Sequence, residues 1–153
     1  MTRTDRASRV IDAPAERIYA AMIDPDALAA WLPPTGMTGT FDRFDARVGG
    51  SYRMVLTYDD PTGAPGKATA DSDIAEARFV DLQPGRLVTQ AVDFVSDDPA
   101  FDGTMLMIWE VSESGDGSLV EFRAEDVPSG ISADDHSAGL ASSLANLAAY
   151  VER

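Results

Sequence analysis

The segment from Ser132 to Arg153, SADDHSAGLASSLANLAAYVER, repeats its apolar residues at helical spacing. On a helix advancing about 100° per residue, His136, Leu140, Leu144, Leu147 and Val151 fall within a sector of roughly 80°. Ala141, Ala145, Ala148 and Ala149 flank that sector. A long helix with so narrow an apolar seam needs a concave partner. The chain's only histidine lies on the seam, so the same face is a candidate pocket wall. Ser132 or Asp134 is placed to cap the helix.

The concave partner is legible upstream as a change of period. Tyr52, Met54, Leu56 and Tyr58 alternate with Arg53, Val55 and Thr57, the pattern of a half-buried strand. Met105, Met107, Trp109 and Val111 share one face of a strand over Thr104–Ser112, and Val120, Phe122 and Ala124 point inward from Leu119–Glu125. Further strands are predicted at Arg9–Ile11, Thr38–Asp45, Ile74–Leu82 and Arg86–Val95. Between them, Gly49-Gly50, DDPTGAPGKA (Asp59–Ala68), Gln83-Pro84-Gly85 and Ser114–Gly117 read as turns. Two short helices are expected near the N-terminus. Asp12-Ala13-Pro14 opens the first, with Ile18 and Met22 on one face, and Asp24-Pro25 opens the second, with Leu28, Trp31 and Leu32 apolar. Pro33-Pro34 stop it.

Short turns between successive strands favour antiparallel pairing, so the class is α+β: about six to seven strands in a meander, with a long helix at the end. At 153 residues, without repeats or a long linker, residues 1–153 read as one domain. A helix laid on a curved sheet leaves a cavity, and Met and aromatic residues on the inner face make it apolar. Such stripes also build ordinary cores.

Charge and composition narrow the partners. Twelve basic residues oppose 26 acidic ones, for a net charge of −14. A surface of that sign repels nucleic-acid phosphates and anionic headgroups. No apolar run approaches the roughly 18 residues of a membrane span, and MTRTDRASRV lacks the apolar core of a secretory signal. Cysteine is absent, which removes disulfides and thiolate chemistry and fits a cytoplasmic protein. Without cysteine and with one histidine, metal binding would rest on carboxylates. The turn pairs Asp59-Asp60 and Asp97-Asp98 lack calcium-loop spacing, so no metal site is expected. No phosphate-binding or dinucleotide motif implies a cofactor.

The opening VIDAPAERIYAAMIDPDALAAWLPP resembles the START-like (SRPBCC) superfamily and, within it, homologues of the activator of the heat-shock chaperone ATPase. Gly49-Gly50-Ser51-Tyr52, FVDLQPGRLV (Phe79–Val88) and HSAGLASSLANLAAYVE agree with that resemblance in order. The resemblance implies a helix-grip fold, a bent antiparallel sheet around the C-terminal helix, commonly enclosing a hydrophobic cavity. Relatives bind lipids, hormones or polyketides, and some are cyclases or hydrolases. The family often has Trp after the glycine of the last helix, whereas Leu140 follows Gly139 here, a change that would enlarge the cavity. The additional client-binding domain of the eukaryotic activators has no counterpart in the sequence, which argues against chaperone activation.

The expected activity is therefore binding of a small hydrophobic or amphipathic molecule. The candidate wall is Trp31, Tyr52, Met54, Met105, Met107, Trp109, Phe122, His136, Leu140 and Leu144. His136 or Tyr52 would orient a polar end. The alternative is a cyclase- or hydrolase-type enzyme with His136 as general acid or base, since imidazole titrates near neutrality. Against both, His136 could simply pack in the first helical turn and bond a loop carbonyl, and Trp31 could serve only to anchor the short helices. A third reading is an interaction module or homodimer. Arg53, Arg78 and Arg123 are expected on the outer face, paired with acids.

Overall fold

A computed structural model describes residues 3–33, 37–58, 72–94, 103–115 and 117–152. The predicted loops around Asp59-Asp60 and Asp97-Asp98, with Pro34, lie outside the described residues. The elements run β1 (Asp5–Ile11), α1 (Ala15–Ile23), α2 (Pro25–Trp31), β2 (Met37–Phe44), β3 (Ser51–Tyr58), β4 (Ser72–Gln83), β5 (Leu87–Phe94), β6 (Gly103–Ser114), β7 (Gly117–Glu125) and α3 (Ala133–Val151). All seven strands form one antiparallel sheet in the order β1-β7-β6-β5-β4-β3-β2. Strands β2 to β7 meander. The two short helices interrupt the chain after β1, which crosses to pair with β7.

This is the α+β helix-grip architecture. Strand β1 begins at Asp5 rather than Arg9, because Asp5 to Ile11 stay in continuous register with Ala124 to Ser118. Two register shifts bend the sheet, one between Phe41 and Arg43 and one between Phe79 and Asp81. In a regular strand, Phe41 and Phe44 would point to opposite faces. The extra residue at Asp42 returns both to the inner face, opposite Met54 and Tyr52. The second bulge does the same for Phe79 and Leu82 and turns Val80 outward, where it is exposed.

Asp24 caps α2 by accepting from the Asp26 N–H, and Pro25 occupies the first turn. Helix α1 is entered through Pro14 without a side-chain cap. Ser132, not Asp134, caps α3 through the Asp135 N–H. The buried stripe of α3 is Leu140, Leu144, Leu147, Ala148 and Val151, which packs over β1 and β7 and against α1 and α2. At its far end Glu152 Oε2 accepts from the Asp12 N–H at 2.9 Å, fastening α3 to the β1–α1 connection. Beneath α3, Trp31 of α2 packs on Trp109 and Phe122 with ring centroids 5.3 and 5.9 Å away. Its Nε1–H donates to Ala21 O at 2.8 Å, joining α2 to α1.

The outer face is polar. Arg53 bridges Asp42 and Glu76, Arg78 pairs with Asp93, and Arg123 sits among Glu110, Glu121 and Glu125. The predicted Gly49-Gly50 turn joins β2 to β3. Gly49 adopts φ +87°, and a Cβ at Gly50 would collide with the Asp45 carbonyl oxygen. Gly139, by contrast, faces open space in the middle of α3. Urea unfolding of Gly50→Ala should show a loss of about 1–3 kcal/mol at unchanged m-value. Gly139→Ala should gain about 0.5–1 kcal/mol from helix propensity; equal effects at both positions would contradict this packing.

Candidate functional site

The concave face of the sheet has two halves. Over β1, β7 and the end of β6 lie α3 and the Trp31–Trp109–Phe122 stack. Toward β2, β3, β4 and β5 the inner face carries Phe41, Phe44, Tyr52 and Phe79, whose rings contact one another at centroid distances of 5.0–6.0 Å. Phe41, Phe44, Leu56, Val92 and Met107 on this half are only partly buried. Helix α3 covers one half of the concave surface and α2 packs against β2 at the other side, so the aromatic half is accessible only at its rim.

One polar pair lies inside this aromatic wall. The Tyr52 hydroxyl donates to Gln90 Oε1 at 2.8 Å, and Gln90 is 1% exposed. Among the described residues, Gln90 Nε2 has no hydrogen-bond partner. An unpaired buried amide N–H costs about 1–3 kcal/mol, so it calls for a physical reason. Burial pushes the Tyr52 phenol well above its ordinary range. The ring stays neutral near pH 7 and serves as a hydrogen-bonding group, not as a base.

A second polar cluster lies at the opposite end of the inner face. His136 Nδ1 is 2.8 Å from Asp5 Oδ2, and Arg3 Nη2 approaches the same oxygen at 3.0 Å. His136 thus bonds a strand carboxylate, not the loop carbonyl considered from sequence. Burial raises the Asp5 carboxyl pKa, but hydrogen bonds from His136 and Arg3, with their electrostatic attraction, outweigh it. The net result lies below the ordinary 3.8. The contact ties the first turn of α3 to the start of β1, closing the helix onto the edge strand.

The sequence-predicted residues separate into groups. Trp31, Trp109, Phe122, Leu140 and Leu144 belong to the main core under α3. Tyr52 and Met54 join that core from the aromatic half. Met105 instead packs with Ala124 and Val127 in a separate small cluster, and Met107 touches both clusters. Sequence reasoning missed Gln90, Asp5 and the three phenylalanines Phe41, Phe44 and Phe79. The signal for Gln90 was its place between Val88 and Val92 at period two, and for Asp5 its phase with Ala7 and Ile11.

Three clefts among the described residues lie elsewhere. One of about 510 Å³ runs between α1 and the β4–β5 and β6–β7 hairpins, lined by Glu16, Tyr19, Arg86 and Glu113 among others. Another lies where α1 and α2 meet Tyr150, and the third is on the outer face beside Arg78. All are open and mixed in character. Among the described residues, no group of three His, Asp or Glu converges as metal ligands, and no helix is long and apolar enough to cross a membrane.

A bent seven-stranded antiparallel sheet gripping a C-terminal helix defines the class, and the sequence comparison supplies the family. Residues 12–152 match the profile of the Activator of Hsp90 ATPase homolog 1-like protein family, and the chain belongs to that family. A crystal structure of a Chromobacterium violaceum protein is similar at 33% identity and TM-score 0.83, covering 98% of this chain and 97% of that one. The solution structure of an AHSA1-like protein from Aeromonas hydrophila shares the fold at 18% identity and TM-score 0.77, covering 98% and 92%. An Arthrobacter aurescens protein does so at 14% identity and TM-score 0.78, covering 97% and 86%. No curated protein matches the sequence.

The Asp5 contact has a testable pH signature. A carboxyl depressed in the folded state stabilises folding above the ordinary carboxylate range, and that stability is lost as pH falls through its folded value. Asp5→Asn should cost on the order of 1–3 kcal/mol at pH 7. The gap from wild type should narrow below about pH 4. A gap constant from pH 7 to pH 3 in urea titrations would contradict the pairing.

Proposed function

We propose that this chain is a cytoplasmic binding protein for a small amphipathic molecule, held between the aromatic half of the concave sheet and the N-terminal part of α3. The observation that carries the reading is the Tyr52–Gln90 pair, buried in an aromatic wall with one amide nitrogen unpartnered. A ligand that fills the concave surface would bring apolar area for the rings and a polar atom for the amide. The partly exposed Phe41, Phe44 and Met107 provide its entry. Removing apolar surface from water contributes about 25 cal/mol per Å², less the costs of ordering and association.

The Asp5–His136 contact favours a second reading. A carboxylate on Nδ1 orients an imidazole and leaves Nε2 for proton transfer, as a cyclase- or hydrolase-type enzyme would require. His136→Ala separates the two. A binding protein should retain most of its affinity, whereas an enzyme should lose turnover by about 10²–10⁴-fold. Native mass spectrometry of protein purified from its own host should reveal a co-purified hydrophobic compound. Consistently empty protein that also binds no apolar probe would defeat the binding reading.

A further inference from the structure

The polarity of the Tyr52–Gln90 pair narrows the ligand beyond "amphipathic". We infer that the site selects an uncharged molecule that presents a hydrogen-bond acceptor, such as a ketone, quinone or ester oxygen, to Gln90 Nε2. This inference rests on the binding reading above. A primary amide offers two N–H donors and a carbonyl acceptor, and a phenol offers one O–H. With the Tyr52 O–H given to Gln90 Oε1, both Gln90 N–H groups remain unused among the described residues. Turning the amide around would leave the Gln90 carbonyl oxygen without a donor as well as freeing the Tyr52 O–H, so the orientation in which Tyr52 donates is the one that satisfies the oxygen. In that orientation the pair presents two free donors, and the complement of a buried donor is an acceptor.

Charge is excluded by the same geometry. Burial holds the Tyr52 phenol in its neutral form. Among the described residues, the arginines of β2, β3 and β4 lie on the outer face, where Arg53 and Arg78 are engaged by Asp42, Glu76 and Asp93. Arg3 and His136 both pair with Asp5 of β1, which stands opposite Ala124 of β7. Arg3 Nε, unpartnered among the described residues, lies in that cluster and not at Gln90. From Ala124 the inner-face row runs through Met107 to Gln90, so β7 and β6 separate Asp5 from the Gln90 strand. At about 4.8 Å per strand the two clusters stand roughly 14 Å apart. A ligand carboxylate at Gln90 would be desolvated with no cation beside it, which opposes its binding. A ligand ammonium would meet donors.

Three naphthalenes of similar size test this: 2-acetonaphthone (a ketone), 2-ethylnaphthalene (a hydrocarbon) and 2-naphthoate (a carboxylate). Their affinities would be measured by equilibrium dialysis against wild type, Gln90→Met and Gln90→Leu, with thermal melts as the folding control. In wild type the ketone should bind at least about tenfold more tightly than the carboxylate. The ratio of hydrocarbon to ketone Kd should fall by about 2–10-fold in Gln90→Met. If Gln90→Met does not fold, the same fall is read in Gln90→Leu. Should neither fold, the wild-type Gln90 side-chain amide resonances decide, moving with ketone and not with hydrocarbon. Binding of all three probes with no dependence on Gln90, or a carboxylate matching the ketone, would overturn the polarity while leaving the binding reading intact. Failure of every probe to bind would overturn both.

Discussion

The contact of Trp31 with Trp109 and Phe122 brings three layers of the molecule to one point. Trp31 arrives on α2, Trp109 on β6 and Phe122 on β7, and α3 closes over them with Leu140 and Leu144 in the same core. Aromatic pairs of this kind contribute about 0.5–1.5 kcal/mol beyond their burial. The Trp31 Nε1–H finds the Ala21 carbonyl, so the stack leaves no unpaired donor of its own. Its consequence is spatial. One half of the concave sheet is filled beneath α3, and the other half carries the partly buried residues at the rim on which the proposed site depends.

Two buried polar groups on the inner face show opposite solutions to the same constraint. Asp5 is fully engaged, by His136 of α3 and by Arg3, and works as a fastening between the helix and an edge strand. Gln90 is engaged on its oxygen only. Among the described residues two buried side-chain nitrogens lack a partner, Gln90 Nε2 among the aromatic rings and Arg3 Nε beside Asp5. The proposed ligand site rests on the Gln90 amide, which is surrounded by apolar rings, and on the incomplete cover of α3.

Much of the architecture was legible because its signals are local. The seam of α3, the alternation of β3, β6 and β7, and the Asp24-Pro25 start of α2 each follow from spacing within a few residues. The bulges were not legible. Period two breaks at Asp42 and Val80, and only the register with β3 and β5 shows that Phe41, Phe44, Phe79 and Leu82 share the inner face. The Asp5–His136 contact joins residues 131 positions apart, and its strand partner sat in a segment that reads as a charged terminus. Gln90 was hidden for another reason: its phase with Val88 and Val92 points it inward, but a glutamine side chain gives no apolar signal of its own. The wall residues read from the sequence included Tyr52 but not the amide that it bonds.

The side-chain amide of Gln90 is therefore the most direct reporter of the account. Its two proton resonances in ¹H–¹⁵N spectra would be compared between protein purified from its own host and the same protein unfolded, extracted with solvent and refolded. Occupation of the site by an acceptor-bearing ligand predicts that at least one of them lies further downfield in the host-purified protein and returns on extraction. Identical Gln90 resonances in the two preparations, with a hydrophobic compound demonstrably removed between them, would contradict the placement of the ligand at this site.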